Sequence, residues 1–234
     1  MTQDLDRPAP SPPIVLVRHG EAACTVEGVL GGWSDSPLTE LGREQVTCLA
    51  RRLKEELADV PCRMLASDVA RAWQTAEILA RELDLEALPA PGLRAYNNGA
   101  AVGCSRDEGE ALRLPVTQPL VDWQMFPEAE TWRQFHRRNA VCLDEITRDQ
   151  AETLLLVTHS GVVLNATFWW LQLDEELLGR VGYASAPASI TVLDTSPWAE
   201  RRVARSNDTA HLYAAGLGGG LRLRRHPEPR RSQA

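Results

Sequence analysis

The chain has 234 residues, 44% hydrophobic and 24% charged, with a net charge of -7 at neutral pH. That length buries a core without disulfides or structural metal, and the balance excludes a disordered, collagen-like or disulfide-stapled chain. The acidic balance argues against a nucleic-acid partner, which needs a basic face. The longest apolar runs, residues 14–17 and 154–157, fall far short of the roughly 20 residues of a membrane-spanning helix. No apolar stretch of an export signal follows the polar, proline-rich start. The five cysteines are an odd number with no CxxC pair, so reduced thiols and a cytoplasmic location are expected.

Residues 1–13 read as a flexible lead-in. Ile14-Val15-Leu16-Val17 is a short apolar run that meets charged residues and a glycine at once, the pattern of a buried parallel strand ending at a site. Residues 39–57 carry Leu41, Val46, Leu49, Leu53 and Leu57 at helical spacing between Pro37 and Pro61, which predicts a long amphipathic helix. Residues 63–66 read as a strand and 69–83 as a helix. This alternation implies an α/β fold: a three-layer α/β/α sandwich with a central, mostly parallel sheet.

From residue 89 to 127 the periodicity weakens and prolines and glycines interrupt short pieces, as in a lid over about 91–129 above the strand ends. Within it Ser105-Arg106-Asp107-Glu108 fits a capping box and predicts a short helix. Residues 130–150 are helical, 153–157 form a strand and 160–171 a helix. Residues 189–194 and 201–205 read as late strands around Pro197. One domain over 14–213 is expected, with a Gly/Arg/Pro tail at 214–234 whose arginines read as a mobile end rather than a nucleic-acid arm.

Two strands end in chemistry-bearing residues. The first runs into Arg18-His19-Gly20-Glu21 and the later one into Thr158-His159-Ser160-Gly161, at the carboxyl ends where open α/β sheets bind ligands. A neutral imidazole attacks phosphorus, and arginine and a second imidazole stabilise the transferring oxygens. A helix starting at Ser160 adds backbone donors for an anion. One histidine after one strand reads equally well as a hydrogen-bonded polar core group, so the remaining motifs decide.

Arg18-His19-Gly20 resembles the hallmark of the histidine phosphatase superfamily, also called phosphoglycerate mutase-like. The resemblance extends through Gly32-Trp33-Ser34-Asp35-Ser36-Pro37-Leu38-Thr39 with Gly42 and Gln45, and through the helix start Ser67-Asp68-Val69-Ala70-Arg71-Ala72-Trp73-Gln74-Thr75-Ala76. It continues in Glu130-Thr131-Trp132 with Phe135 and Arg138, in Val157-Thr158-His159-Ser160-Gly161, and in a late motif at 207–212. It implies that His19 becomes phosphorylated, that Arg18 and Arg71 clamp the phosphate, and that His159 supports the transferring group. Glu21 orients this pocket or serves equally well as a surface or capping residue, and Thr25 stands where many members carry a phosphate-touching asparagine. Tyr96, Asn97 and Asn98, in the lid, are candidates to meet the organic part of the substrate. Phe168, Trp169 and Trp170 read as core packing.

One departure matters. The family's glutamate that protonates the leaving oxygen aligns with Ala95, which has no proton to give. The relocated-acid candidates are Asp107, Glu108 and Glu110, with Glu108 already explained by the capping box. The other two origins are an engineered Glu-to-Ala change that traps substrate, favoured by the otherwise intact pocket, and a naturally weak member. The expected activity is therefore a phosphomonoesterase, impaired at Ala95, that works on a small-molecule phosphate monoester through a phosphohistidine, without metal or cofactor. A mutase is one alternative, although the extended insertions associated with dedicated phosphoglycerate mutases are missing. A silent phosphate-binding module is the other.

Overall fold

The computed structural model describes residues 11–218. Among them, six strands form one sheet in the order β3-β2-β4-β1-β5-β6. The strands are β1 (Ile14–Arg18), β2 (Cys62–Ala66), β3 (Ala87–Pro89), β4 (Thr153–Thr158), β5 (Ile190–Thr195) and β6 (Arg201–Asp208). The first four run parallel, while β5 is antiparallel to β1 and β6 antiparallel to β5. The helices are α1 (Ala23–Val26), α2 (Glu40–Glu56), α3 (Ala70–Leu83), α4 (Arg106–Ala111), α5 (Trp132–Thr147), α6 (Ser160–Leu171) and α7 (Ala210–Ala214).

Alternation along the strands sorts the core onto two faces. Val15, Val17, Met64, Leu155 and Val157 pack beneath Val46, Leu49 and Leu53 of α2 and Leu79 of α3. Ile14, Leu16, Leu65, Leu154 and Leu156 pack beneath Phe135 and Leu143 of α5 and Val162 and Trp170 of α6. Burial on both faces is why β1 and β4 read as continuous apolar runs. The three-layer α/β/α reading therefore holds, with an antiparallel pair added at one edge.

Helix starts follow side-chain chemistry. The Thr39 hydroxyl accepts the Gly42 amide at α2, and Thr131 with Gln134 forms a capping box at α5. Ser105 with Glu108 forms the expected box at α4. The lid strings α4 between 3-10 turns at Pro91–Leu93, Gly99–Ala101 and Leu120–Asp122. Ala101, Phe126 and Ala129 give it a small core of its own.

Three expectations change. Strand β3 went unread because three residues ending in Pro89 show no alternation; a proline is tolerated there because the strand lies at the sheet edge. Pro12 and Pro13 belong to the packed body, since the Leu154 amide donates to Pro13 O at 3.1 Å and Gln150 Nε2 to Pro12 O at 3.0 Å. Leu217 also packs on the core, receiving Gln45 Nε2 at 3.4 Å, so the body runs past residue 213. Residues 1–10 of the lead-in and the arginine-bearing part of the tail lie outside the described residues. Among the described residues no helix is long and apolar enough to cross a membrane, and the five cysteines are free thiols.

Candidate active site

Sheet order explains why two histidines 140 positions apart in sequence meet. Strand β4 enters the sheet beside β1, in register with Arg18 opposite Thr158. The next residue on each strand is a histidine, and the His19 amide donates to Thr158 O at 2.9 Å. The two rings lie edge to face with centroids 5.1 Å apart. They sit in the crevice at the carboxyl ends of β1 and β4, where the strand order switches.

Hydrogen bonding sets the His19 tautomer. Nδ1 lies 2.7 Å from Gly20 O, which can only accept, so Nδ1 carries the proton. Nε2 is then a lone pair, and it receives Arg71 Nε–H at 3.2 Å. The residue is 5% exposed. Burial first, then the Arg71 and Arg18 charges, hold its pKa well below the usual histidine range. The imidazole is therefore neutral at pH 7, with its lone-pair nitrogen facing the cavity.

His159 is set by Ser67. The Ser67 oxygen accepts the Val69 amide at 3.4 Å, leaving its proton free to point at His159 Nε2, 2.8 Å away. Nδ1–H is then the remaining donor, and it has no partner among the described residues. Burial, then His19 and the arginines, lower this pKa also.

The two arginines are held by backbone carbonyls. Arg71, in the first turn of α3 and 4% exposed, donates through NH2 to Gly32 O at 2.8 Å. A buried cation at the positive end of a helix is unfavourable unless an anion joins it. Arg18 NH1 donates to Ser185 O, and its buried Nε has no partner among the described residues. Burial lowers both guanidinium pKa values, yet arginine stays charged. Helix α6 opens at Ser160, so its unsatisfied first-turn amides face the same crevice.

Together these groups line a cavity of about 270 Å³ that also includes Thr25, Ala95, Tyr96 and Asn98. Of the sequence candidates, Arg18, His19, Thr25, Arg71, Ala95, Tyr96, Asn98, His159 and Ser160 are thus brought together. Two are not. Glu21 lies outside the wall, where its carboxylate accepts Thr39 Oγ1 at 2.9 Å and ties the strand-end loop to the start of α2. The Asn97 side chain turns back onto the Gly99 amide at 2.9 Å.

The relocated-acid reading also fails on geometry. Glu108 is held by Ser105 at the start of α4, which keeps its carboxyl below the usual range, and Glu110 pairs with Arg113. Neither they nor Asp107 reach the wall. The Ala95 carbonyl is pinned by Trp33 Nε1 at 2.7 Å and Arg138 NH2 at 3.0 Å. Sequence reading missed Ser185 as the anchor of Arg18, because 167 residues separate them. It also missed Ser67 as the orienter of His159, although that serine stands in the motif that carries Arg71.

An α/β sheet that aims two neutral imidazoles and two guanidiniums at one cavity defines a phosphoryl-handling protein, a phosphatase or mutase in class. The chain belongs to the histidine phosphatase superfamily (branch 1), whose family model matches residues 14–223. It is 29% identical over 211 residues to a probable phosphoglycerate mutase GpmB of Yersinia pestis (strain Pestoides F), across 87% of this chain and 96% of that protein. The fold is similar to a mycobacterial glucosyl-3-phosphoglycerate phosphatase solved with VO3, at TM-score 0.72 and 23% identity, over 84% of this chain and 99% of that one. It is also similar to YhfR of Bacillus stearothermophilus, at TM-score 0.71 and 26% identity, over 86% of this chain and all of that one.

Proposed function

We propose that the protein is a phosphomonoesterase acting through a phosphohistidine on His19, slowed in this form by Ala95. The observation that carries the reading is the His19 tautomer, with Nδ1–H on Gly20 O and an unprotonated Nε2 against Arg71. Nε2 attacks phosphorus, the N–P bond forms and the P–O bond to the alcohol breaks. Arg18, Arg71, His159 Nδ1–H and the Ser160 amide take the equatorial oxygens, where preorganised donors act most strongly. Arg71 Nε gives up Nε2 for a phosphoryl oxygen as substrate arrives. Water then attacks the phosphohistidine, releasing orthophosphate and restoring His19.

The departing alkoxide needs a proton, and Ala95 has none. General acid catalysis is worth about 10²–10⁴-fold, more for poor leaving groups. Ala95→Glu is expected to raise turnover strongly on alkyl phosphates and modestly on aryl phosphates, flattening the dependence of rate on leaving-group basicity. Equal gains on both substrate types, or none, would place the acid elsewhere. Two guanidiniums beside the imidazoles, with no carboxylate among the described residues of the wall, disfavour a divalent ion by charge repulsion, so chelation should leave activity unchanged while vanadate inhibits. Reactivation of a chelated enzyme by magnesium or zinc would overturn that part.

The GpmB relatives favour a second reading, transfer to another hydroxyl instead of water. Orthophosphate release by Ala95→Glu separates the two, and tight substrate binding without turnover in that variant would indicate a silent binding module.

A further inference from the structure

The cavity beyond the phosphate groups has a distinct chemistry. Among the described residues that line it, Arg18 and Arg71 are the only cations, the histidines being neutral, and there is no carboxylate. Both guanidiniums are committed to the phosphate end, Arg71 through His19 Nε2 and Arg18 beside the same ring. The remaining wall carries no charged side chain: Tyr96, Trp132 and Phe135 form an aromatic part, and Cys24, Thr25, Val29 and Asn98 add small or neutral groups.

The aromatic side is a packed cluster. The Tyr96 ring lies 5.3 Å from Trp132 and 5.7 Å from Phe135 between centroids. Its hydroxyl is used on Glu130 O, so the cavity meets ring and not a polar tip.

Two further cations stand close behind the Ala95 segment, and both are spoken for. Arg94 pairs with Asp68, with Nε on Oδ1 at 2.7 Å. Arg138 pairs with Glu130 at 2.7 Å and also donates to the carbonyls of Gly92, Arg94 and Ala95 at 3.0–3.2 Å. Among the described residues, a carboxylate on the organic part of a substrate would thus find no cation beyond the two that face the phosphate, and the water it loses there goes uncompensated, which is costly. A neutral group with a flat or apolar face instead covers the three rings.

We infer that this site selects phosphate monoesters whose organic part is uncharged, and rejects phosphorylated carboxylic acids such as phosphoglycerate. The inference rests on the phosphatase reading for its catalytic arm, but its binding arm is independent of turnover.

The test uses two matched pairs that differ only in the carboxylate: phenyl phosphate against 4-carboxyphenyl phosphate, and glycerol 3-phosphate against 3-phosphoglycerate. Dissociation constants are measured calorimetrically on the unaltered protein, and kcat/KM on Ala95→Glu. The neutral member of each pair is expected to bind at least tenfold more tightly, with the aryl ester tightest, and to be hydrolysed with at least tenfold higher kcat/KM. Equal or tighter binding of the carboxylate-bearing member overturns the inference. A tenfold binding preference without hydrolysis by Ala95→Glu sustains the inference and overturns the phosphatase reading.

Discussion

His19 shows how much one contact decides. The ring is buried beside two guanidiniums, and Arg71 follows burial as the largest cause of its lowered pKa. A lowered pKa keeps this imidazole unprotonated as pH falls below 6.5, so on the proposed phosphohistidine mechanism the acid limb of kcat/KM should lie below the range of a free imidazole. Arg71→Ala removes both a cation and an anion ligand. It should move that limb to higher pH and weaken vanadate binding by about 2–3 kcal/mol, the worth of a charge-assisted contact. An unmoved acid limb would mean that burial and Arg18 set the His19 state without Arg71. His19, His159 and Arg18 were legible because each lies within two residues of the end of an apolar run, and Arg71 because its motif has a family spacing. Glu21 and Asn97 misled because adjacency in sequence says nothing about which way a loop side chain turns, and each found a nearer backbone or hydroxyl partner.

At the scale of elements, the strand-end loop and α2 are fitted backbone to backbone. A Cβ on Gly42 would lie 2.1 Å from Glu21 O, and one on Gly20 2.5 Å from Gly42 O. No side chain fits at this crossing without moving the helix away from the loop that carries His19. Gly42→Ala gains about 1 kcal/mol of helix propensity, but overpacking costs about 1–3 kcal/mol. The net expectation is a lower urea midpoint together with reduced kcat/KM in an Ala95→Glu background, because the displaced Gly20 carbonyl orients Nδ1 of His19. An unchanged midpoint would show that the helix shifts freely. Elements with a strong apolar period, α2, α3, β1 and β4, were readable from the sequence for the same reason that they are stable, since they bury a continuous face. The lid was readable only as an interruption. Its 3-10 turns are fixed by contacts such as Arg138 on three carbonyls, which leave no local period.

Across the whole molecule, the four histidines within the described residues are all shifted the same way. His19, His136, His159 and His211 have pKa values lowered first by burial, and each is at most 9% exposed. His211 shows the neutral form directly, with Nε2 3.1 Å from Ala188 O and Nδ1 receiving Arg52. As pH falls through 6.5 the unfolded chain takes up these protons while the folded chain does not, so stability present above 6.5 is lost below it. Each histidine contributes about 1.4 kcal/mol per pH unit at most, until its folded pKa is reached. Carboxylates act in a separate window. Asp208, hydrogen-bonded to Arg52, is held at about 2, so its contribution persists above 3.8 and is lost only as pH falls toward 2. Urea midpoints should therefore decline between about pH 6.5 and 5, before carboxylates with ordinary values titrate. His136→Gln, in a ring contact with Phe168 and outside the cavity wall, should make that decline shallower by about one proton's slope. A flat midpoint from pH 7.5 to 5 would mean that the buried histidines bind protons equally in the folded and unfolded chains.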